Sequence, residues 1–144
     1  MISLDTNLLL YAFNGDCEEH AASNRFLHEC ACRDDVAICE LVLVEFYQLL
    51  RNPAVLLKPC EAAEAVELCQ SLRNNPRWAL IDSAPIMDQV WKLAARQSTS
   101  RRWIFDARIA LTLLHHGVTE FATRNSRDFD GFGFKRVWDP TAES

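Results

Sequence analysis

Short apolar runs alternate along the chain with longer segments whose apolar residues recur at helical spacing. The first run, residues 1–5, ends in the carboxylate of Asp5. Thr6 or Asn7 can cap a helix that follows, because either side chain can accept a hydrogen bond from an unpaired backbone N–H. That helix should break near Asn14, which precedes a glycine. The opening pattern therefore predicts a core strand, an acid at its carboxyl end and a short helix.

The same alternation continues to the C-terminus and predicts an α/β fold. Further strands are predicted at residues 36–39, 78–82, 118–123 and 134–138. Further helices are predicted at residues 16–32, 40–50, 59–73, 86–97 and 104–116, with loops at 98–102 and 124–133. Strands that alternate with helices form a parallel sheet with helices on both faces. A chain of 144 residues is expected to form one domain, so residues 1–144 are predicted to be a single domain.

The composition is typical of a globular protein without a membrane span. Apolar residues make up 49% of the chain, and no apolar run reaches the roughly 18 residues that a membrane-spanning helix needs. The N-terminus has no basic region before its apolar run and no small-residue cleavage site, so we expect no signal peptide and a cytoplasmic location. The six cysteines form no C-x-x-C pair and are expected to be free thiols in the core.

The net charge of −5 argues against a protein that simply binds nucleic acid. The charge is unevenly distributed, however. Residues 1–95 carry 7 Lys and Arg against 14 Asp and Glu, whereas residues 96–136 carry 8 against 4. The second segment can therefore attract a polyanion although the whole chain is acidic. An ordinary solvated surface is the alternative explanation.

Four acids are predicted to lie at the end of the sheet where parallel α/β folds bind their ligands. Asp5 ends the first strand, and Glu45 lies about one turn into the helix after the second strand. Asp106 begins the helix before the fourth strand. Asp128 lies in the loop after that strand, three residues beyond Asn125, and can equally be a turn residue.

The other acids also have structural explanations. Asp5 can simply cap the first helix, and Asp106 can cap its own helix or pair with Arg108. Glu45 is harder to explain, because apolar residues flank it on every side of its predicted helix. A charge in such a position is unfavourable unless it is paired or bound to metal. Glu40 is expected on the opposite side of the same helix, as a solvated acid.

Together the acids indicate a metal-dependent reaction. Carboxylates that converge in one cleft repel one another and do not all ionise unless a cation intervenes. Oxygen ligands without a nearby Cys or His favour Mg²⁺ or Mn²⁺ over zinc. Such an ion can activate a water molecule and neutralise a phosphodiester. The combination therefore predicts metal-dependent phosphodiester hydrolysis.

Four short motifs contain these acids. They are Leu-Asp-Thr-Asn at residues 4–7, Leu-Val-Glu-Phe at 43–46, Phe-Asp-Ala-Arg-Ile-Ala at 105–110 and Thr-Arg-Asn-Ser-Arg-Asp-Phe at 123–129. Each motif alone is weak, but the ordered set is specific. In its order and spacing, over nearly the whole chain, it resembles the PIN-domain family and in detail the VapC toxins of bacterial toxin–antitoxin pairs.

The resemblance implies a ribonuclease that needs Mg²⁺ or Mn²⁺ and leaves a 5′-phosphate, built on a single PIN-like domain with about five parallel strands. It also implies a homodimer, and inhibition by a small cognate antitoxin whose C-terminal segment lies near the acidic cleft. By this resemblance Asp5, Glu45 and Asp106 are catalytic metal ligands. Asn125 and Asp128 compete for the fourth position: Asn125 can ligate or only position water, and Asp128 can bind a second metal ion.

Basic, hydroxyl and aromatic residues are candidates for contacts with RNA. The candidates for phosphate contacts are Arg101, Arg102, Arg108, Arg124 and Arg127, of which the last two flank the site in sequence. Arg108 can instead brace a carboxylate inside the fold. Thr6 or Thr123 can contact phosphate or metal-bound water. Trp103, Phe129 and Phe132 can stack on bases or pack in the core.

Two other functions are weighed against a ribonuclease. A phosphatase of the haloacid-dehalogenase type would use Asp5 as its nucleophile, but it needs a second acid two residues later, where this chain has Asn7. A PIN-like module that binds a partner without catalysis is the other alternative. The apolar faces of the predicted helices at about residues 41–72 can form a groove that accepts an antitoxin helix.

Overall fold

Five short strands alternate with helices in the computed structural model, which describes residues 1–96 and 100–142. The strands are β1 (Ile2–Leu4), β2 (Ala37–Cys39), β3 (Ala79–Ile81), β4 (Glu120–Ala122) and β5 (Arg136–Trp138). The helices are α1 (Thr6–Phe13), α2 (His20–Ala31), α3 (Glu40–Leu50), α4 (Ala62–Arg73), α5 (Met87–Ala94), α6 (Trp103–His115) and α7 (Ser126–Phe129).

All strand pairs in the described chain are parallel. Strand β4 lies between β1 and β5, and β2 pairs with β3. A single parallel bridge between Ile2 and Val36 joins the two sheets, so the order across them is β3, β2, β1, β4, β5. The predicted parallel α/β fold with about five strands is confirmed. Its strands form a three-stranded and a two-stranded sheet rather than one continuous sheet, because β1 and β2 share only this bridge.

Both faces of the central strands are covered by other elements. Ile2, Ser3 and Leu4 are all buried, as is every residue of β2. Because consecutive strand residues point to opposite faces, this burial requires packing on both sides. The polar Ser3 is accommodated because its hydroxyl donates a hydrogen bond to the carbonyl oxygen of Ala37 at 2.6 Å. The core thus holds β1 rigidly up to the residue where the first candidate acid follows.

Several predicted element boundaries need correction. Helix α2 begins at His20 rather than at residue 16, because the side-chain oxygen of Asn14 accepts the backbone N–H of Asp16 and shapes a turn there. Helix α4 begins at Ala62 rather than at residue 59. Helix α5 ends at Ala94. Its predicted end at residue 97, and residues 98 and 99 of the predicted loop, lie outside the described residues.

The segment predicted as a loop at residues 124–133 contains a short helix, α7. Phe129, its last residue, is buried against the core, so tertiary packing fixes a turn that four residues could not form alone. Gly131 and Gly133 follow with φ angles of +90° and +120°, which favour glycine. The backbone after β4 is therefore defined, and it carries two of the candidate site residues.

Two further sequence expectations can be compared with the described residues. All six cysteines are free, but Cys32 is exposed, so the expectation of core thiols does not hold for every one. No helix in residues 1–96 and 100–142 is long and apolar enough to cross a membrane.

The topology brings three chain segments to one edge of the sheet. Strands β1, β2 and β4 run in the same direction, so their carboxyl ends lie on the same side. Helices α1 and α3 start directly after β1 and β2, and α7 starts shortly after β4. This edge is where the candidate acids are found.

Candidate active site

Asp5 occupies the junction between β1 and α1. Its backbone N–H donates to the carbonyl oxygen of Ala122 at 2.9 Å, which continues the pairing of β1 with β4. One carboxylate oxygen accepts the N–H of Thr6 at 2.7 Å, and the other accepts the hydroxyl of Thr123 at 2.6 Å. The side chain is only 7% exposed. Asp5 is thus the residue that caps α1, in place of Thr6 or Asn7, and it is also fixed from the β4 side.

Glu45 lies in the second turn of α3 and faces the same junction. Its Oε2 atom accepts a hydrogen bond from the Thr6 hydroxyl at 2.8 Å, and its side chain is half-buried. The sequence places Glu45 among apolar residues, but not all of these residues are buried in the core. Val44, which precedes Glu45, is 53% exposed. Glu40, at the start of the helix, lies elsewhere and pairs with Arg73 at 3.0 Å, so it is an ion-pair partner rather than a free solvated acid.

Asp106 lies in the first turn of α6 and is half-buried. The residue that caps this helix is Arg102, so capping does not explain Asp106. Within residues 1–96 and 100–142, no salt bridge joins Asp106 to Arg108. Both structural explanations considered from the sequence are therefore absent from the described chain, and the carboxylate faces the space beside Asp5 and Glu45.

A single cleft of about 660 Å³ connects these acids. Its lining residues come from α1, α3, α6 and the segment after β4. They are Asp5, Thr6, Asn7, Leu10, Tyr11, Leu41, Val44, Glu45, Gln48, Leu49, Arg102, Phe105, Asp106, Arg108, Ile109 and Asn125. Three acids distant in sequence thus share one cleft, as their predicted positions at the sheet edge required.

The cleft concentrates negative charge. Burial raises the pKa of Asp5 to about 6, with repulsion from Glu45 and Asp128 adding to the effect of burial, while the hydrogen bonds from Thr123 and Thr6 oppose it. Burial, and after it the neighbouring charges of Asp5, Asp128 and Glu45, raise the pKa of Asp106 to about 7. Ionisation of one of these carboxylates disfavours ionisation of the others, because like charges in one cleft repel. A cation bound among them would relieve that competition.

The donor set fits a hard divalent cation in its chemistry. The acids offer only oxygen atoms, which Mg²⁺ and Mn²⁺ prefer. As the side chains stand, no group of three or more His, Cys, Asp or Glu in the described part of the chain is close enough to hold an ion. The carboxylates would therefore have to draw together around it.

Two exposed residues compete for the fourth predicted position, and only one of them lines the cleft. Asn125 lines the cleft and precedes α7, and its backbone N–H donates to the Thr123 hydroxyl oxygen at 3.1 Å. Asp128 lies within α7 and is exposed, and it does not line the cleft. Its charge nevertheless raises the pKa of both Asp5 and Asp106. Both residues are therefore near the site, and Asn125 is the one at its wall.

The basic candidates separate into two groups. Arg102 and Arg108 line the cleft, whereas Arg101 and Arg127 are exposed outside it. The guanidinium of Arg124 lies 3.0 Å from the carboxylate of Asp139 and 4.0 Å from that of Glu19. Arg124 thus ties the segment after β4 to the C-terminal region and to the start of α2, which argues against the predicted phosphate contact.

The hydroxyl candidates are engaged inside the fold. Thr6 is buried and donates to Glu45, and Thr123 is fully buried and donates to Asp5. These contacts orient the two acids and argue against a direct contact of either threonine with RNA.

The three aromatic candidates from the sequence pack in or against the hydrophobic core, and none of them lines the cleft. Phe129 is buried, and Trp103 and Phe132 stack on each other with ring centroids 5.8 Å apart. The aromatic residues that do line the cleft are Tyr11 and Phe105, which the sequence reasoning passed over. Phe105 could have been found from helical spacing, because it lies three residues after the phosphate candidate Arg102.

Asn7 has a structural place at the same junction. Its side-chain oxygen accepts the backbone N–H of Arg124 at 3.3 Å, and its side-chain nitrogen lies 3.5 Å from the Thr123 hydroxyl. An amide held in this way supplies no carboxylic acid for proton transfer, which removes the basis for a haloacid-dehalogenase phosphatase.

Known proteins match this chain over nearly its whole length. The PIN domain family matches residues 2–135 of the chain. Ribonuclease VapC24 of Mycobacterium tuberculosis is 63% identical over 140 residues, which cover 97% of this chain and 97% of that protein.

Two solved structures have the same fold. The Mycobacterium tuberculosis toxin VapC20, described as cleaving the sarcin–ricin loop, matches with a TM-score of 0.65 at 17% identity over 84% of this chain and 87% of its own. A chain of FitAB bound to a DNA fragment matches with a TM-score of 0.66 at 20% identity over 98% of this chain and 96% of its own. At such identities these structures support the fold alone.

The family match spans most of the chain, and the identity to VapC24 extends over nearly its whole length. The resemblance noted in the sequence is therefore confirmed. The chain belongs to the PIN-domain family and, within it, to the VapC ribonucleases.

Proposed function

We propose that this chain is a VapC-type endoribonuclease that hydrolyses RNA in the cleft formed by Asp5, Glu45 and Asp106 and requires a divalent cation. The observation that carries the proposal is that these three acids, from three separate elements, line one cleft in which the pKa of two of them is raised. The 63% identity to a protein named as a ribonuclease supports the reaction class. PIN-domain ribonucleases generally depend on divalent metal ions.

The cation we propose is Mg²⁺ or Mn²⁺, held by Asp5, Glu45 and Asp106, with Asn125 or Asp128 in the fourth position. When bound, such an ion supplies a polarised water and neutralises charge on the phosphodiester. The chain contributes orientation. Each oxygen of Asp5 accepts one hydrogen bond in the fold, and since a carboxylate oxygen has room for a second partner, both can still face the cleft.

Glu45 is oriented by a single contact. The Thr6 hydroxyl holds Oε2, and the described residues supply no hydrogen bond to Oε1. One oxygen is therefore left to bind a cation. Of the three acids, Asp5 is the most constrained by hydrogen bonds. This difference is expected if Asp5 positions the ion and the side chains of Glu45 and Asp106 move toward it.

The experiment that tests the proposal is cleavage of RNA by the purified protein. We expect cleavage with Mg²⁺ or Mn²⁺, none with EDTA, and a loss of about 100-fold or more in the Asp5→Asn and Asp106→Asn variants. The matched control is Glu40→Gln, which neutralises an acid at the start of α3 that does not line the cleft. Full cleavage by both folded site variants would refute the assignment.

We further propose that the chain acts in the cytoplasm, forms a homodimer and is neutralised by a small cognate antitoxin. Exposed Val44 on α3 and Val66 on α4 support an apolar contact surface on these two packed helices. Co-expression with the product of a short adjacent reading frame should yield a stable complex that no longer cleaves RNA. Light scattering of the isolated chain gives its oligomeric state, and a monomer at all concentrations would contradict the dimer.

A further inference from the structure

Phe105 is a large apolar side chain on the wall of the cleft. It is 60% exposed, lies in the first turn of α6 and directly precedes Asp106. Single exposed apolar residues are common on protein surfaces and need no explanation alone. Here the ring lines the same cleft as the acids. It is therefore available to whatever occupies that cleft.

Two arginines flank this ring at helical spacing. Arg102 lies three residues before Phe105 and Arg108 three residues after it, so each is a neighbour one turn away on the helix surface. Both are exposed and both line the cleft. Within residues 1–96 and 100–142, no salt bridge or side-chain hydrogen bond involves either guanidinium. The helix thus presents a cation, an aromatic ring and a second cation in sequence.

We propose that Phe105 stacks on a base of the bound RNA while Arg102 and Arg108 bind phosphates on either side of it. The inference rests on the proposed ribonuclease function. An unpaired base offers a flat face to an aromatic ring, and the backbone around it offers phosphates. Every base has such a face, so this contact positions the strand beside Asp106 without selecting the sequence. Phe105 is accordingly a positioning residue for the substrate.

Substitution of Phe105 tests the stacking contact kinetically. In Phe105→Ala and Phe105→Leu we expect KM for a cleaved oligonucleotide to rise on the order of 5- to 100-fold, with Phe105→Tyr close to wild type. The matched control is Trp91→Ala on α5, because Trp91 has the same 60% exposure but does not line the cleft. Its KM should not change. Thermal unfolding of all variants checks that each is folded.

A scan of the substrate gives an independent measurement. Bases near the cleavage site are replaced one at a time by an abasic nucleotide. With the wild-type protein, an abasic nucleotide at one position should raise KM by about the same factor as Phe105→Ala does. With the Phe105→Ala variant, the abasic nucleotide at that position should have no further effect.

The phosphate contacts are tested by the salt dependence of RNA binding. Arg102→Gln and Arg108→Gln should each reduce the slope of log affinity against log salt concentration by about 0.7. Arg25→Gln on α2 is the control.

The outcomes separate this inference from the proposed function. If wild type cleaves no RNA with Mg²⁺ or Mn²⁺, the ribonuclease assignment fails first. If wild type cleaves but Phe105→Ala has unchanged KM, or every abasic position affects both proteins equally, the stacking role is overturned while the ribonuclease stands. Unchanged KM together with weakened inhibition by the co-expressed antitoxin would assign Phe105 to a protein contact instead.

Discussion

Replacing Asp106 with Asn should stabilise the cation-free protein above pH 7 while abolishing its activity. The folded chain raises the pKa of this carboxyl to about 7, because burial and the neighbouring acids disfavour its ionised form. Asp106 is a cleaner choice than Asp5. The carboxylate of Asp5 accepts two hydrogen bonds, one on each oxygen, and an amide in its place could not accept both. In the described residues the side chain of Asp106 makes no hydrogen bond that the substitution would break.

The direction follows from the two ionisation states. Well below pH 4 the carboxyl is protonated in both the folded and the unfolded chain, so it does not affect stability. Between pH 4 and pH 7 the carboxyl is ionised in the unfolded chain but largely protonated in the folded chain. Ionisation therefore stabilises the unfolded chain, and the free energy of unfolding of wild type falls as pH rises. Above pH 7 the carboxyl is ionised in both states, and the full loss in the free energy of unfolding remains. Asn does not titrate, so the advantage of Asp106→Asn should grow from near zero at pH 4 to its maximum above pH 7.

The magnitude can be bounded from the shift in pKa. Asp106 moves from 3.8 to about 7, and each pKa unit corresponds to about 1.36 kcal/mol, which gives an upper bound of about 4 kcal/mol. The side chain is only half-buried, so solvent screens the repulsion and about 1–2 kcal/mol is a realistic gain. For a domain of this size that corresponds to roughly 3–8 °C in Tm.

Thermal unfolding in EDTA at pH 4 and pH 8 measures this effect. The control is Glu40→Gln, which should lower Tm at pH 8 because it removes the partner of Arg73. Added Mg²⁺ should raise the Tm of wild type at pH 8 more than that of Asp106→Asn, since ligand binding to the folded state stabilises it. A variant no more stable than wild type at pH 8, or equally stabilised at both pH values, would refute the electrostatic reasoning.

Three further substitutions test the parts around the acids. Thr123→Val removes the hydrogen bond to Asp5 and should lower kcat about 10-fold in the RNA cleavage assay, with Thr123→Ser close to wild type. Arg124→Gln should leave KM for RNA unchanged and lower the free energy of unfolding by about 1 kcal/mol in denaturant titrations, because this guanidinium is ion-paired within the fold. Asp128→Asn should raise the Mg²⁺ concentration for half-maximal rate roughly 10-fold; an unchanged titration would leave Asn125 as the fourth residue.

The parts of the fold that depend on local pattern could be predicted from the sequence. Helix α3 was predicted at residues 40–50 and is observed at Glu40–Leu50, because a continuous apolar pattern defines it from a strand end to a proline-containing turn. The convergence of the acids also followed from pattern, since parallel strands end on the same side. Helix α7 was missed. Its formation depends on Phe129 packing into the core, which four residues of sequence do not reveal.

Hydrogen bonds at the site were harder to predict than its location. The sequence identified Asp5 as a cap or as a ligand. In the structure its carboxylate caps α1 by accepting the N–H of Thr6, and it also accepts the hydroxyl of Thr123. The second contact joins residues 118 positions apart. It depends on β1 and β4 being neighbours, and strand order is not contained in the periodicity of either strand.

The basic segment at residues 96–136 shows where charge counting is insufficient. Its excess of positive charge favoured RNA binding, and proximity in sequence to the acids favoured Arg124. In the structure Arg124 is balanced by Asp139 and Glu19, partners 15 and 105 residues away, whereas Arg102 faces the cleft. Charge in a segment therefore predicts an electrostatic tendency, but exposure toward the site depends on which acids the fold brings beside each arginine. Helical spacing from an acid identifies Arg102, which lies one turn before Asp106 on the same face, but not Arg108, which lies two residues after Asp106 and also lines the cleft.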